Sequence, residues 1–391
     1  LFIENIWQDI CNMKNKSSSK PILPANPLAG FQEASEPLLT AIQAVLESGE
    51  YILGAKVEAF EKAFAHFLGV RHCISVANGT DAVHLALRAV GVGEGDLVAT
   101  VSHTAVATAV GIRLAGAKPV FVDVNPDTYT MCPEKLEATL KAYPGKIKVI
   151  LPVHLYGLPV SIQEVMRIAE SHGCHVVEDC AQSHGASVIQ KMTGSWGMSS
   201  AFSFYPTKNL GTFGDGGALA TNDDAVASRF RDLRQYGWRK RNFSEVFGIN
   251  SRLDEIHAAI LSVKLPRLQT DNDLRIRLSE IYIRGLQSLP VVLPRTPVGF
   301  RHVFHQFVIR VPGRDDLQAY LKANGVISLV HYPVPIHLQP AFSDAAIFPC
   351  GLETTERICG EILSLPMYPQ LADADAEHVC ELVRSWFEHH G

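Results

Sequence analysis

Apolar residues recur along the chain with two periods, and the alternation between those periods lays out the elements. Between positions 37 and 115 the pattern reads helix, helix, strand, helix, strand, helix. PLLTAIQAVLESGEY carries apolar side chains at three- and four-residue spacing and stops at Ser48-Gly49, where glycine can take the left-handed turn that ends a helix. HCISVA is a short run of apolar and small residues, and TDAVHLALRAVGVG is an amphipathic helix opening just after Asn78-Gly79. The strands LVAT, PVFVDV, KVILPV and HVVED follow, separated by helical patterns over 105–115, near 134–141 and over 161–172. Repeated strand–helix units put helices on both faces of one sheet. The predicted fold class is therefore α/β, with a large, mostly parallel sheet flanked by helices.

After Asp179 the rhythm changes to short strands, AFSFY and GALAT, around the glycine-rich NLGTFGDGG. A long helical pattern over 253–286 follows, which Pro266 should kink or break. The remainder (FHQFVIRVP, a helix from Arg314, VISLVHYPVP, helices near Glu353 and Asp373) reads as a smaller α+β unit. The expected organisation is a large domain over 21–270 and a small C-terminal domain over 271–391. Residues 1–20 are set aside as a disordered or non-native segment, with Met13 a plausible natural start.

Composition narrows the function classes. With 391 residues, 47% of them hydrophobic, the chain can bury one large core or two unequal ones. Lys and Arg number 35 against 40 for Asp and Glu, so 35 − 40 gives −5, and without a long basic block nucleic acid is not expected as a partner. No apolar run reaches the roughly 18 residues a membrane span needs. The eight cysteines show neither CxxC nor His-Cys ligand spacing, which points to a reducing cytoplasm and to no metal site.

Three segments carry candidate chemistry. SVANGTD sits where a strand turns into a helix; Gly79 and Thr80 there either make an anion site on free N–H groups or simply turn and cap. In CHVVEDCAQSHG an apolar strand ends in two acids that must point to opposite faces, so one of them, Asp179 in preference, can face a ligand at the carboxyl end of the strand. SSAFSFYPTKNLGTFGDGG places Ser203 and Lys208 at a loop between strands; Lys208 is either a surface lysine or, if buried, an imine-forming one. Together they supply what pyridoxal 5′-phosphate asks of a protein: a lysine for the aldehyde, a carboxylate for the ring nitrogen, and a helix start with hydroxyls for the phosphate.

The strings GTDAVHLALRA, GAKPVFVDV, VVEDCAQSHGA, FSFYPTKNLGTFGDGGALATND and INSRLDEIHAAIL closely resemble the nucleotide-sugar aminotransferases of the DegT/StrS group, enzymes of fold-type I that use pyridoxal 5′-phosphate. The resemblance implies that Lys208 anchors the cofactor and moves the proton, that Asp179 pairs with the ring nitrogen, and that Gln182 lies near the ring hydroxyl. It implies Gly79, Thr80 and Ser203 as phosphate ligands, and Asn250 as a phosphate ligand lent by the neighbouring subunit of a homodimer. Where members carry a stacking aromatic this chain has Ala105, so His103 either stacks instead or is a capping or core imidazole. The retained lysine argues for amino transfer over dehydration. YGWRKRNFSEVFGINSR and VHYPVPIHLQPAF are similar to members that aminate dTDP-linked 3-keto-6-deoxyhexoses rather than 4-keto sugars, and the family resemblance implies L-glutamate as donor; a 4-keto nucleotide sugar or a cyclitol is the alternative acceptor on the same scaffold. That likeness puts Tyr332 and His337 in the sugar pocket, unless they only pack a proline-punctuated loop. Arg239, Lys240 and Arg241 either meet a nucleotide diphosphate or form a solvated face.

Overall fold

A computed structural model describes residues 21–343 and 347–390; the reading of residues 1–20 lies outside the described residues. Seven strands build the main sheet: β1 (His72–Val76), β2 (Leu97–Val101), β3 (Lys118–Val122), β4 (Ile147–Ile150), β5 (His175–Asp179), β6 (Ser199–Ser203) and β7 (Gly217–Thr221). Their spatial order is β1-β7-β6-β5-β4-β2-β3. The pairs from β6 through β3 are parallel, whereas β7 runs antiparallel to both β1 and β6. That reversal follows from the connection: residues 204–216 join β6 to β7 without a helix to cross a face, so the chain returns alongside itself. Lys208 sits in this return loop.

Successive strand residues feed opposite layers. Val176 joins Val101, Val122 and Ile150 under the helix Ile162–His172 on one face. Val177 joins Ile74, Val98 and Leu219 under helix α1 (Gly79–Ala89) on the other. With both faces covered, the strands need be apolar throughout, as the sequence pattern has it.

The helical pattern over 253–286 is broken where expected. Helix α2 (Glu255–Lys264) passes through a 3-10 turn, Leu265–Arg267, into α3 (Leu268–Leu286), because Pro266 has no N–H to donate and its ring crowds the preceding turn. Beyond it, β8 (Phe307–Arg310) pairs antiparallel with β9 (Ile362–Leu365), and Leu278 and Tyr282 of α3 share a core with Phe307, Leu363 and Val383. Strand β9 has no counterpart in the sequence reading: it follows the helix Glu353–Glu361 with neither Gly nor Pro between, and four residues are too few to show a period. VISLVHYPVP forms only single bridges, Val326 to Ile22 and Leu329 to Ser364. Residues 22–24 accordingly run beside this C-terminal region, Pro24 accepting from the Met367 N–H at 3.2 Å.

Candidate active site

The carboxyl ends of β5 and β6 and the start of α1 converge on a cavity of about 540 Å³. Six residues singled out in the sequence line it: Gly79, Thr80, Asp179, Gln182, Ser203 and Lys208.

One end is built for an anion. Asn78, extended in backbone, caps α1 by accepting from the Asp81 N–H at 2.8 Å. The N–H groups of the first turn have no partner within the helix, and the helix dipole makes that end positive. Close approach is bought by glycine: a Cβ on Gly79 would lie 2.6 Å from the Ser203 Cβ, so only Gly lets β6 bring the Ser203 hydroxyl against the helix start. Ser251 ties the rim, its hydroxyl accepting from Ala77 N at 3.0 Å and donating to Asp81 Oδ2 at 2.6 Å.

Asp179 forms the floor. Thr108 Oγ1, on the helix Val106–Leu114, donates to its Oδ2 at 2.8 Å, and the Ala181 N–H donates to Oδ1 at 3.1 Å. Burial pushes this carboxyl up, and Thr108, the Ala181 amide and Lys208 offset that only in part, so it stays above the ordinary aspartate range. A cation brought to its open side would reverse the shift.

Lys208 faces the same space. No described residue accepts a hydrogen bond from its Nζ, and burial lowers the ammonium to about 8, against the pull of Asp179. Near pH 7 about a tenth is then neutral amine, against a trace for an ordinary lysine, and the neutral amine is the nucleophilic and basic form.

Gln182 is held at both ends, Oε1 accepting from Tyr156 N at 2.7 Å and Nε2 donating to the Tyr332 hydroxyl at 3.2 Å. Tyr332 is thereby fixed at the edge of the site, its phenol pushed up to about 12 by burial.

The other expectations fall elsewhere. His103 does not reach the cavity; Thr104 and Ala105 line it instead. The His103 ring is buried beneath, Nε2 at 2.8 Å from the Tyr156 hydroxyl and Nδ1 at 3.3 Å from Cys359 Sγ, and burial lowers it to about 4. Of the two readings the sequence left open, the core imidazole is the one whose partners are found. His337 is likewise consumed, Nδ1 at 2.8 Å from Ser102 Oγ and Nε2 at 3.1 Å from Glu356, away from the cavity. Asn250 is exposed and bridges to Gln235, off the cavity of its own chain. Of the basic run, Arg239 pairs with Asp232 and Glu245 on an exposed ribbon. Sequence reasoning missed Thr108, because only the packing of its helix against β5 shows that its hydroxyl meets Asp179.

The donor set fits pyridoxal 5′-phosphate: a cradle that a Cβ would fill, a carboxylate short of donors and a lysine amine without a protein partner share one cavity.

Residues 32–384 match the DegT/DnrJ/EryC1/StrS aminotransferase family. The chain is 42% identical over 376 residues to the dTDP-3-amino-3,4,6-trideoxy-alpha-D-glucose transaminase of Streptomyces venezuelae, covering 95% of this chain and 98% of the relative. It is also 42% identical over 362 residues to a protein of Geobacillus stearothermophilus named as a pleiotropic regulatory protein, covering 92% and 96%. The fold matches that of S. venezuelae DesV, solved in complex with a ketimine intermediate, with a TM-score of 0.90 and 41% identity over 94% of this chain and 98% of that one. A likeness that runs through nearly the whole chain, in sequence and in fold, shows that the protein belongs to the DegT/DnrJ/EryC1/StrS aminotransferases, enzymes of fold-type I that depend on pyridoxal 5′-phosphate.

Proposed function

We propose that the protein transfers an amino group from L-glutamate to the keto group of a nucleotide-linked sugar, a dTDP-linked 3-keto-6-deoxyhexose, in the biosynthesis of deoxyamino sugars in the cytoplasm. One observation carries the reading: Lys208 and Asp179 face one cavity with the anion cradle of Gly79, Thr80 and Ser203. The choice of sugar draws on the S. venezuelae relative, whose name places an amino group at C3 of a dTDP-linked trideoxyglucose.

When bound, pyridoxal 5′-phosphate supplies an electron sink that acidifies the carbon bearing the amino group. The chain's residues do the rest. Gly79, Thr80 and Ser203 hold the phosphate, and Asp179, ionised once a cation faces it, keeps the ring nitrogen protonated. Lys208 Nζ would take the proton from the Cα of the donor, and in the second half would deliver a proton to the sugar carbon that bore the ketone. Gln182 would border the ring hydroxyl, and Tyr332, hydrogen-bonded to it, the sugar. Asn250, exposed and off its own cavity, serves the cavity of a second copy in a homodimer.

The G. stearothermophilus relative's name suggests regulation instead, but a lysine amine left free beside the cavity favours turnover. The test is a screen of keto-sugar nucleotides with glutamate, read by mass spectrometry of the product. A mass shift from ketone to amine with a dTDP-linked 3-ketohexose is the expected result; no product with any hexose nucleotide overturns the sugar assignment. Glutamate should also bleach the visible band of the holoenzyme, and a spectrum that moves only with another amino acid replaces the donor.

A further inference from the structure

Lys208 is held by its neighbour rather than by its own side chain. The amide of Asn209 is fully used: Nδ2 donates to Asn272 Oδ1 at 2.8 Å and to the Val303 carbonyl at 3.0 Å, and Oδ1 lies 3.1 Å from His305 Nδ1. An amide oxygen only accepts, so Nδ1 of His305 carries the proton, consistent with burial holding this imidazole neutral. Asn272, fully buried on α3, passes the chain of bonds on through Nδ2 to the His184 carbonyl at 2.8 Å. The contact needs the residue after His184 to be glycine: a Cβ on Gly185 would sit 2.6 Å from Asn272 Nδ2, and its φ of +84° favours Gly in any case.

Asn272 thus stands between two segments: the loop carrying Lys208, and the stretch from Asp179 through Gln182 to Gly185 that carries the carboxylate. A buried asparagine is costly unless its hydrogen bonds are made, and here they are made to these two loops. Sequence places Asn272 in a helix with no motif around it, and although Asn209 and Gly185 lie within motif strings, nothing local shows that all three meet.

We propose that Asn272 is a positioning residue for the reaction, acting through Asn209 to set Lys208 in register with the Asp179–Gly185 segment. The proposal rests on the assignment of Lys208 as the cofactor-bearing lysine, and the experiment separates the two. Borohydride fixation of the cofactor followed by peptide mapping locates that lysine in the wild type; another lysine there overturns the assignment, whatever the variants do.

With Lys208 confirmed, Asn272→Ala should lower kcat at least about tenfold while KM for the keto sugar stays within about twofold, since a small misplacement of a reacting group costs rate rather than binding. Asn209→Ala should match it, and the double variant should be no worse than either single one, the signature of one chain of contacts. In the apoenzyme, amide exchange over residues 207–211 should quicken about tenfold in Asn272→Ala with the main sheet unchanged. Losses that multiply in the double variant, or a kcat within about twofold of wild type, overturn the proposal. Where Asn272→Ala does not fold, Asn209→Ser carries the same kinetic test, and wild-type kcat in that variant overturns it equally.

Discussion

Glu178 and Asp179 are adjacent carboxylates at one strand end, both buried, and the pleat sends them to opposite faces and opposite fates. Glu178 meets four donors. His154 Nε2 and the Gly194 N–H reach Oε2 at 3.0 and 2.8 Å, and the N–H groups of Trp196 and Gly197 reach Oε1 at 2.8 and 2.9 Å. His154 is fixed in the donating tautomer because its Nδ1 accepts from Val160 N at 3.1 Å. Burial pushes the Glu178 carboxyl up, but His154 and the amides of Gly197 and Gly194 outweigh it, and the net direction is down. Asp179 has two donors and an open side, and its net direction is up. A buried carboxylate with every lone pair answered pins a loop. One left short is kept for a partner that arrives from outside.

The sharpest separation should come from removing that partner's anchor. Lys208→Ala is expected to cut turnover by about 10³-fold or more, since base and nucleophile are lost together, with little change in the melting temperature of the apoprotein because no protein group loses a hydrogen bond. Asp179→Asn should cost about 10²-fold or more in kcat, yet leave the apoprotein as stable as wild type or more so, an incompletely compensated buried charge having been removed. Glu178→Ala should do the reverse. It strands three backbone N–H groups and His154, at roughly 1–3 kcal/mol for each buried donor, so a loss of several kcal/mol in urea unfolding is expected while folded protein keeps its cavity. Equal destabilisation by Asp179→Asn and Glu178→Ala would erase the distinction drawn between the two acids.

A smaller effect separates them by sign alone. Because the folded carboxyl of Glu178 lies below the ordinary value of about 4.3, its stabilisation is present above that pH and is lost as pH falls through the lower folded value. Asp179 runs the other way: its folded carboxyl holds a proton that the unfolded chain has released, so its share of stability grows as pH falls toward the ordinary aspartate value. Relative to wild-type apoprotein, Glu178→Gln should flatten the acid loss and Asp179→Asn should steepen it. Urea midpoints measured between about pH 3 and 6 decide this, and slopes that move in the same direction in both variants would refute it.

The same two residues show what the sequence could disclose. Alternation along HVVED was enough to say that one acid faces away from the other, and the apolar run before them placed both at the end of a covered strand. The strand-to-helix turn at Asn78-Gly79 and the break at Pro266 were equally legible, because each is written in consecutive residues. What fills the space around Asp179 is not. Thr108 and Asn272 come from elements far apart in the chain, and their side chains reach Asp179 and Asn209 only after the sheet and α3 have packed. His103 and His337 mislead for the same reason: two imidazoles near site motifs had partners, Tyr156 with Cys359 and Ser102 with Glu356, that no local pattern announces.

Thr108 offers the finest probe of the comparison, since it supplies one of the two donors that Asp179 has. Its hydroxyl lies 2.8 Å from Asp179 Oδ2 and 3.2 Å from Thr104 Oγ1. Thr108→Val keeps the branched shape in a buried site and deletes only the hydroxyl, so packing is nearly conserved while one hydrogen bond to a carboxylate is lost. Such a bond is worth about 1.5–3 kcal/mol, of which the cofactor's own cation, still opposite the carboxylate, recovers part. The expected result is a fall of about tenfold in kcat, smaller than for Asp179→Asn, and an acid limb of the pH–rate profile displaced to higher pH, because the carboxyl has lost a group that held it ionised. Glu178 would not respond to loss of a single donor in this way, having three others. A Thr108→Val profile superimposable on that of wild type would mean that Asp179 is no less well supplied than its neighbour, and that its raised carboxyl has no part in the chemistry.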